Sequence, residues 1–257
     1  MPLTILLHSS KTMVMTPSEH DLSKPRFIQE AADLHDYIKG LSSIQLQKNM
    51  HVSAKLADDV KALFQEWKAD GSNSAAVETF RGDIYSGLRA SDFTDKERRF
   101  AQDHLFMLSG MYGVLRPYDA VMPYRLEAGY TFANLNVYAF WSDRLAKLVP
   151  EVGPIINVTS VEYDRLVLPY IDKARVITPK FLTIMPGKSE SKFVAVHAKI
   201  ARGAYARWMI QRGRNDADDL EDFNDLGYEY DAAQSTPRQP VYICRHFEGI
   251  GLSQRLI

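Results

Sequence analysis

Residues 104–127 read His-Leu-Phe-Met-Leu-Ser-Gly-Met-Tyr-Gly-Val-Leu-Arg-Pro-Tyr-Asp-Ala-Val-Met-Pro-Tyr-Arg-Leu-Glu. The run opens on an apolar segment, Leu105, Met107 and Leu108. The pattern predicts it as the end of a helix over 94–108, with Thr94 as N-cap and Glu97 at the third helical position. Ser109-Gly110 breaks that helix, and 111–115 is a second apolar run, read as a strand. Two arginines follow, each with a proline, a tyrosine and a carboxylate nearby: Arg116 with Pro117, Tyr118 and Asp119, and Arg125 with Pro123, Tyr124 and Glu127. Guanidinium groups on so constrained a backbone lose little entropy in clamping an anion. The alternative is that they pair with Asp119 and Glu127 and only pin a bend. Gly110 and Gly113 allow close backbone approach or a positive φ.

Upstream, 3–7 is a short β-prone apolar run, read as a buried strand. The polar loop His8-Ser9-Ser10-Lys11-Thr12 follows it, and such loops hold oxyanions with backbone N–H groups, hydroxyls and a lysine. From 25 to 67 the period is helical. Ile28, Ala31, Leu34, His35 and Ile38 share one side, Gly40 stops the first helix, and Ser53 caps a last one reaching Trp67. The two short helices around 50–53 carry Lys48 before the turn and Lys55 after it. They resemble a helix-hairpin-helix, which holds a DNA phosphate at the second helix's N-terminus. The usual hairpin glycines are absent, and the alternative is a helical pair packed on the sheet. Phe80-Arg81-Gly82-Asp83-Ile84-Tyr85-Ser86-Gly87-Leu88 suggests a tight, partly buried loop. In it Asp83 can cap a backbone turn, act as a general base, bind a metal or pair with an arginine.

Downstream, 136–148 reads as an amphipathic helix and 154–158 as a strand. Thr159-Ser160 caps a helix containing Glu162 and Tyr163. Two β runs, 175–182 and 192–196, flank a Pro-Gly-Lys-Ser turn signal, and 241–245 is a last strand before a tail. The stretch 193–215 carries Lys199, Arg202, Arg207, Arg212 and Arg214 with no acid, whereas 216–231 carries eight carboxylates with no Lys or Arg. Either the two blocks pair, or Lys199 and Arg202 face a phosphate while the acidic segment repels polyanions from the other face.

At 257 residues, 46% hydrophobic and 25% charged, the chain has ordinary globular composition. Its net charge of −1 excludes a uniform positive coat but not a local basic patch. The N-terminus lacks a basic n-region, and the apolar runs are too short to span a bilayer. The single cysteine, Cys244, excludes an internal disulfide, a zinc ribbon and a cysteine-held cluster. No phosphate-binding P-loop, dinucleotide fingerprint, nucleophile elbow or metal-binding His-Glu-x-x-His pattern occurs. The expectation is a bacterial cytoplasmic protein without a cofactor and without a membrane anchor.

The run 107–119, the following Pro123-Tyr124-Arg125-Leu126-Glu127 and the block 80–88 resemble the signature of the YaaA family of bacterial peroxide-stress proteins. The likeness extends from Leu3 to about Phe247. Ala198-Lys199-Ile200-Ala201-Arg202-Gly203 is similar to a further family block. Ser9 and Ser10 replace a Pro-Ala pair, while Lys11 and Thr12 match. Val161 replaces an Asp, while Asn157, Ser160, Glu162 and Tyr163 match. The resemblance implies DNA binding through a hairpin beside a basic cleft, in a response that limits iron-driven damage.

Together these readings predict one α/β (mixed α+β) domain over 1–257: a mixed sheet surrounded by helices, with a helical hairpin protruding near residues 25–67. The leading functional expectation is a monomeric protein binding duplex or branched DNA mainly through phosphates, with Lys48, Lys55, Lys199, Arg202 and Arg207 as contacts. The alternative is an enzyme acting on a phosphorylated or nucleobase-like small molecule. Its site would be built from Lys11, Asp83, Tyr85, Arg116, Arg125 and Glu127, together with Lys199.

Overall fold

The run Thr4–His8 becomes the central strand of the main sheet, with parallel neighbours on both sides. Ile5, Leu6 and Leu7 are all fully buried, as an apolar run without alternation requires when both faces of a strand are covered. The computed structural model describes residues 3–248, and the tail expected beyond them, with Gly249 and Gly251, lies outside the described residues.

In chain order, β1 (Thr4–His8) and β2 (Thr12–Met13) precede three helices: α1 (Ile28–Lys39), α2 (Ser43–Met50) and α3 (Ala54–Glu66). Then come α4 (Ala76–Thr79), β3 (Phe80–Arg81), α5 (Asp83–Leu88), α6 (Asp95–His104), β4 (Leu105–Ser109) and β5 (Gly113–Leu115). The hairpin β6 (Thr131–Phe132) and β7 (Leu135–Asn136) leads to α7 (Val137–Trp141), β8 (Ile155–Asn157), α8 (Val161–Asp164) and β9 (Val176–Ile177). The last elements are β10 (Lys180–Ile184), β11 (Ser191–Lys192), α9 (Ala195–Arg212), β12 (Tyr228–Tyr230) and β13 (Val241–Cys244).

The architecture is mixed α/β, and the helical segment at 25–67 forms as expected. Capping fixes the starts of α2 and α3. Ser42 and Gln45 make a reciprocal capping box at α2, and Ser53 accepts from Leu56 N at α3; such caps contribute about 1 kcal/mol each. The expected single sheet resolves into two main ones, ordered β5-β4-β1-β8-β9 and β11-β10-β13-β12. The run 175–182 is divided between them. Val176–Ile177 pairs with β8 and Lys180–Ile184 pairs with β13, because Pro179 between them has no N–H for a continuous ladder. Hydrophobic pattern marks strands but not their partners.

Four further expectations change, the first being the β run at 192–196, of which only β11 forms before α9 starts at Ala195. The helix over 94–108 stops at His104, and Leu105–Ser109 pairs in parallel with β1, Ile5 opposite Leu105. A short apolar run reads equally as helix end or strand, and here packing on both faces decides. The loop expected at 80–88 is instead a strand residue pair followed by α5, with Gly82 at φ +125° as its N-cap. The helix over 136–148 is only α7, ended by Ser142 at φ +47°.

α5 and α9 pack with backbone in contact. A Cβ on Gly87 would stand 2.0 Å from the Ile200 carbonyl oxygen, and one on Gly203 would stand 1.8 Å from that of Ile84. Only glycine permits this crossing. It brings the first residue of α5, Asp83, to the first turns of α9, where Lys199 lies.

Candidate functional site

The parallel strands β1, β4 and β8 end on one side of the main sheet, and a cavity of about 380 Å³ opens there. Its lining includes His8, Ser9, Ser10 and Lys11 beyond β1, Gly82 and Asp83 at the start of α5, and Glu127 after β5. Ser160, Glu162 and Tyr163 beyond β8 and Lys199 of α9 complete it. Crevices outside the carboxyl ends of parallel strands are where open α/β sheets bind ligands, because loops from several strands converge there.

Each acid is held in place. Tyr163 donates from its hydroxyl to Glu127 Oε2 at 2.9 Å, and Ser9 Oγ donates to that same hydroxyl at 3.4 Å. Gly110 sets the Glu127 backbone: a Cβ there would fall 2.3 Å from the Leu126 carbonyl oxygen. Glu162 Oε1 accepts from Gly129 N at 3.0 Å. Asp83 is itself engaged by neighbouring groups. Behind the cavity, Tyr124 shares a 2.7 Å hydrogen bond with Ser109.

Burial governs the electrostatics. It raises the Glu127 pKa above the usual carboxylate value, against the pull of Lys11 and of the Tyr163 hydrogen bond. Burial, aided by the positive charges of Arg202 and Lys199, lowers His8 to about 3, so its ring is neutral at physiological pH. The ring stacks on Tyr163 at 4.9 Å, and its Nδ1 is buried without a protein hydrogen-bond partner among the described residues. Tyr163 is pushed far up, chiefly by burial, and remains a hydroxyl donor. The site thus combines two cations, three acids of which one holds its proton unusually well, and a neutral imidazole. No group of three or more His, Cys, Asp or Glu side chains among the described residues is placed to hold a metal ion.

Of the residues singled out for a small-molecule site, Lys11, Asp83 and Glu127 line this cavity together with Lys199. Tyr85 sits one layer away, donating to the His8 carbonyl at 3.0 Å and facing a neighbouring hollow of about 570 Å³. The arginines of that hollow are largely committed, Arg89 to Asp92 and Arg98 to Asp95 and the Phe93 carbonyl. Arg125 lies beside Glu127 and Tyr130 but does not line the cavity. Arg116 is elsewhere, paired with fully buried Asp119 at 3.1 Å, and there it pins a bend.

The five residues expected to touch DNA are spread over three helices. Lys48 in the last turn of α2 and Lys55 at the start of α3 are exposed, as is Lys199. Arg202 is half-buried, and its pKa is lowered by burial, partly offset by Asp164. Arg207 is half-buried and lies within the field of Asp92 and Glu97. At the far end of α9, Arg214 pairs with Asp219 at 2.9 Å and Asp216 at 3.1 Å, so the basic and acidic blocks pair where they meet.

The loop from His8 to Thr12 is legible in the sequence as an oxyanion holder, but neither the His8 ring nor Tyr163 has a role assigned there. The available signal was position: each lies at or just beyond the end of a buried parallel strand. Which strands end side by side is not legible from the pattern alone.

Residues 3–234 match the protein-family model described as peroxide stress protein YaaA. The chain is 44% identical to a UPF0246 protein of Salinispora tropica over 258 residues, covering 98% of each chain. It is 38% identical to a UPF0246 protein of Ruegeria over 229 residues, covering 85% of this chain and 90% of the relative. The chain therefore belongs to the YaaA family of peroxide stress proteins.

Proposed function

We propose that this YaaA-family protein acts in the peroxide-stress response as a DNA-binding protein that contacts phosphates and limits iron-driven damage to the DNA it covers. The observation that carries the reading is the turn between α2 and α3. His51 closes α2 in the left-handed conformation at φ +53°, and Ser53 opens α3 at once. Lys48, in the last turn of α2, and Lys55, the second residue of α3, are exposed on either side of this turn in the chain. A helix N-terminus with lysines beside it attracts phosphate through backbone N–H groups, the helix dipole and charge. Contacts of this kind carry little sequence information and weaken with salt. The reading places the protein in the cytoplasm, where the DNA is; no helix among the described residues is long and apolar enough to cross a membrane.

The test is fluorescence anisotropy with labelled duplex and branched DNA at low and physiological salt, for the wild type, Lys48→Glu and Lys55→Glu. The reading expects binding at low salt that falls at least tenfold in either variant. Absence of wild-type binding at low salt rejects it.

A second reading is favoured by the cavity. Lys11, Asp83, Glu127 and Lys199, far apart in sequence, line one hollow with the neutral, half-buried ring of His8. A DNA scaffold needs surface cations and has no use for a cluster that sets three carboxyls among them. This reading is of a small-molecule site with acid–base capacity in Glu127.

A further inference from the structure

Glu127 is the last link in a line of buried hydroxyl groups. Ser109, the final residue of β4, accepts from the backbone N–H groups of Met111 at 3.2 Å and Tyr112 at 3.0 Å. A serine oxygen has two lone pairs and one proton, so the proton of Ser109 goes to its remaining partner, the Tyr124 hydroxyl at 2.7 Å. Tyr124 is also hydrogen-bonded to Ser9. Ser9 gives its single proton to the Tyr163 hydroxyl at 3.4 Å, so the proton between Tyr124 and Ser9 comes from Tyr124. Tyr163 then donates to Glu127 Oε2 at 2.9 Å. All four hydroxyl protons thus point toward one carboxyl group. The five residues come from the ends of β1 and β4, the segment after β5, and α8, and none is more than 5% exposed.

The line is closed at its far end. Ser109 is fully buried and its lone pairs are filled by backbone N–H groups, so it passes no proton in from behind. What the line transmits is polarisation: hydrogen bonds that run in one sense strengthen one another, and Tyr163 becomes a stronger donor than a lone tyrosine. It thereby works with Lys11 and Arg125 in favour of the charged carboxylate, against burial and Glu162. A carboxylic acid accepts best on its carbonyl oxygen. Since Oε2 already accepts from Tyr163, a proton taken up by Glu127 sits on Oε1.

We propose that Ser109, Tyr124, Ser9 and Tyr163 act as one set of positioning residues for Glu127, so that this acid takes up and releases its proton through Oε1 and only from the cavity side. The proposal rests on the second reading above and names the residues that equip Glu127 for it. The group served is an N–H or O–H of a bound small molecule. As that bond breaks, its electron pair stays on the ligand atom and the proton joins Oε1; the return step is the reverse.

The test is a carbon-13 NMR titration of the full chain, with the Glu127 carboxyl signal identified by its loss in Glu127→Gln. The wild type is compared with Tyr163→Phe, Tyr124→Phe, Ser9→Ala and Tyr112→Phe, and each variant's melting curve reports whether it is folded. Tyr112 is the control: its ring meets that of Tyr124 edge-on at 5.3 Å, but its hydroxyl bonds to Trp67 and Met122, outside the line. The wild-type midpoint is expected above 4.5. Tyr163→Phe removes a hydrogen bond to a charged group and should raise the proton affinity of Glu127 about tenfold. Tyr124→Phe and Ser9→Ala should each raise it about twofold through lost polarisation, and Tyr112→Phe should leave it unchanged. A raised wild-type midpoint that stays the same in Tyr124→Phe and in Ser9→Ala overturns the line and leaves Glu127 held by Tyr163 alone. If one of these two variants does not fold, the other decides. A wild-type midpoint at or below 4.5 overturns the acid–base capacity in the second reading as well.

Discussion

The Tyr163 hydroxyl, just beyond β8, donates to Glu127 Oε2 at 2.9 Å, so the two residues join separate strand ends of the main sheet across a buried hydrogen bond. That bond holds an acid whose proton is retained to higher pH than in an unfolded chain. The sign of its linkage follows. In the window above the ordinary carboxylate value of 4.5, the folded state binds the proton and the unfolded state does not, so stability falls as pH rises through that window. Glu127→Gln keeps the shape and removes the titration. The variant should match the wild type in stability near pH 4.5 and exceed it at pH 7 to 8, as read by urea unfolding at each pH.

His8 behaves in the opposite sense. Its folded value of about 3 lies below the ordinary 6.5, so between these limits the unfolded chain takes up a proton that the folded chain refuses. The stability from neutral His8 is complete above pH 6.5 and is lost as pH falls toward 3. His8→Gln should therefore lose less stability between pH 6.5 and pH 4.5 than the wild type. Equal slopes for the two proteins in that interval contradict the burial of a neutral ring.

The crossing of α5 and α9 makes Gly203 and Gly87 the least replaceable positions in the helices around the site. Gly203→Ala places a Cβ 1.8 Å from a backbone oxygen that has no flexible end to move. A loss of about 3 kcal/mol or more, or failure to fold, is expected. Gly187→Ala is the contrast: φ is +73° but nothing lies within 4 Å, so only backbone strain of about 1 kcal/mol is expected. Thermal melts of the two variants decide it.

Arg116 and Asp119 act on stability. Asp119 is fully buried and accepts from Arg116 N at 2.8 Å and Ser23 Oγ at 2.6 Å as well as from the guanidinium. Asp119→Ala strands these donors, and a cost of about 3 kcal/mol is expected. DNA affinity of the folded fraction should be unchanged, and a change in it refutes a purely structural role.

These residues also show how far the sequence carries. The buried strand at 3–7, the helices of 25–67 and the caps Thr94 and Ser53 follow from local rules of periodicity and hydrogen bonding. The acid–arginine pairing at Arg116 is equally local, three residues apart. Leu105–Ser109 misleads because a five-residue apolar run carries too little period to separate strand from helix end. The cavity is the hardest feature to read. Its residues come from segments near 8–11, 82–84, 127, 160–163 and 199. Two glycines set the contact that joins two of those segments. Gly87 and Gly203 stand in the sequence as helix-weakening residues, and only the crossing of α5 and α9 shows what each must accommodate.

The central claim is phosphate contact by the α2–α3 turn, and the most direct measurement is the salt dependence of duplex DNA affinity. For wild type and for Lys55→Gln, log K is plotted against log salt concentration between about 50 and 200 mM. Phosphate contact by Lys55 predicts a steep line for the wild type and a slope smaller in magnitude by about 1 for the variant. Identical slopes and affinities for the two proteins contradict that claim, since the lysine would then neutralise no phosphate.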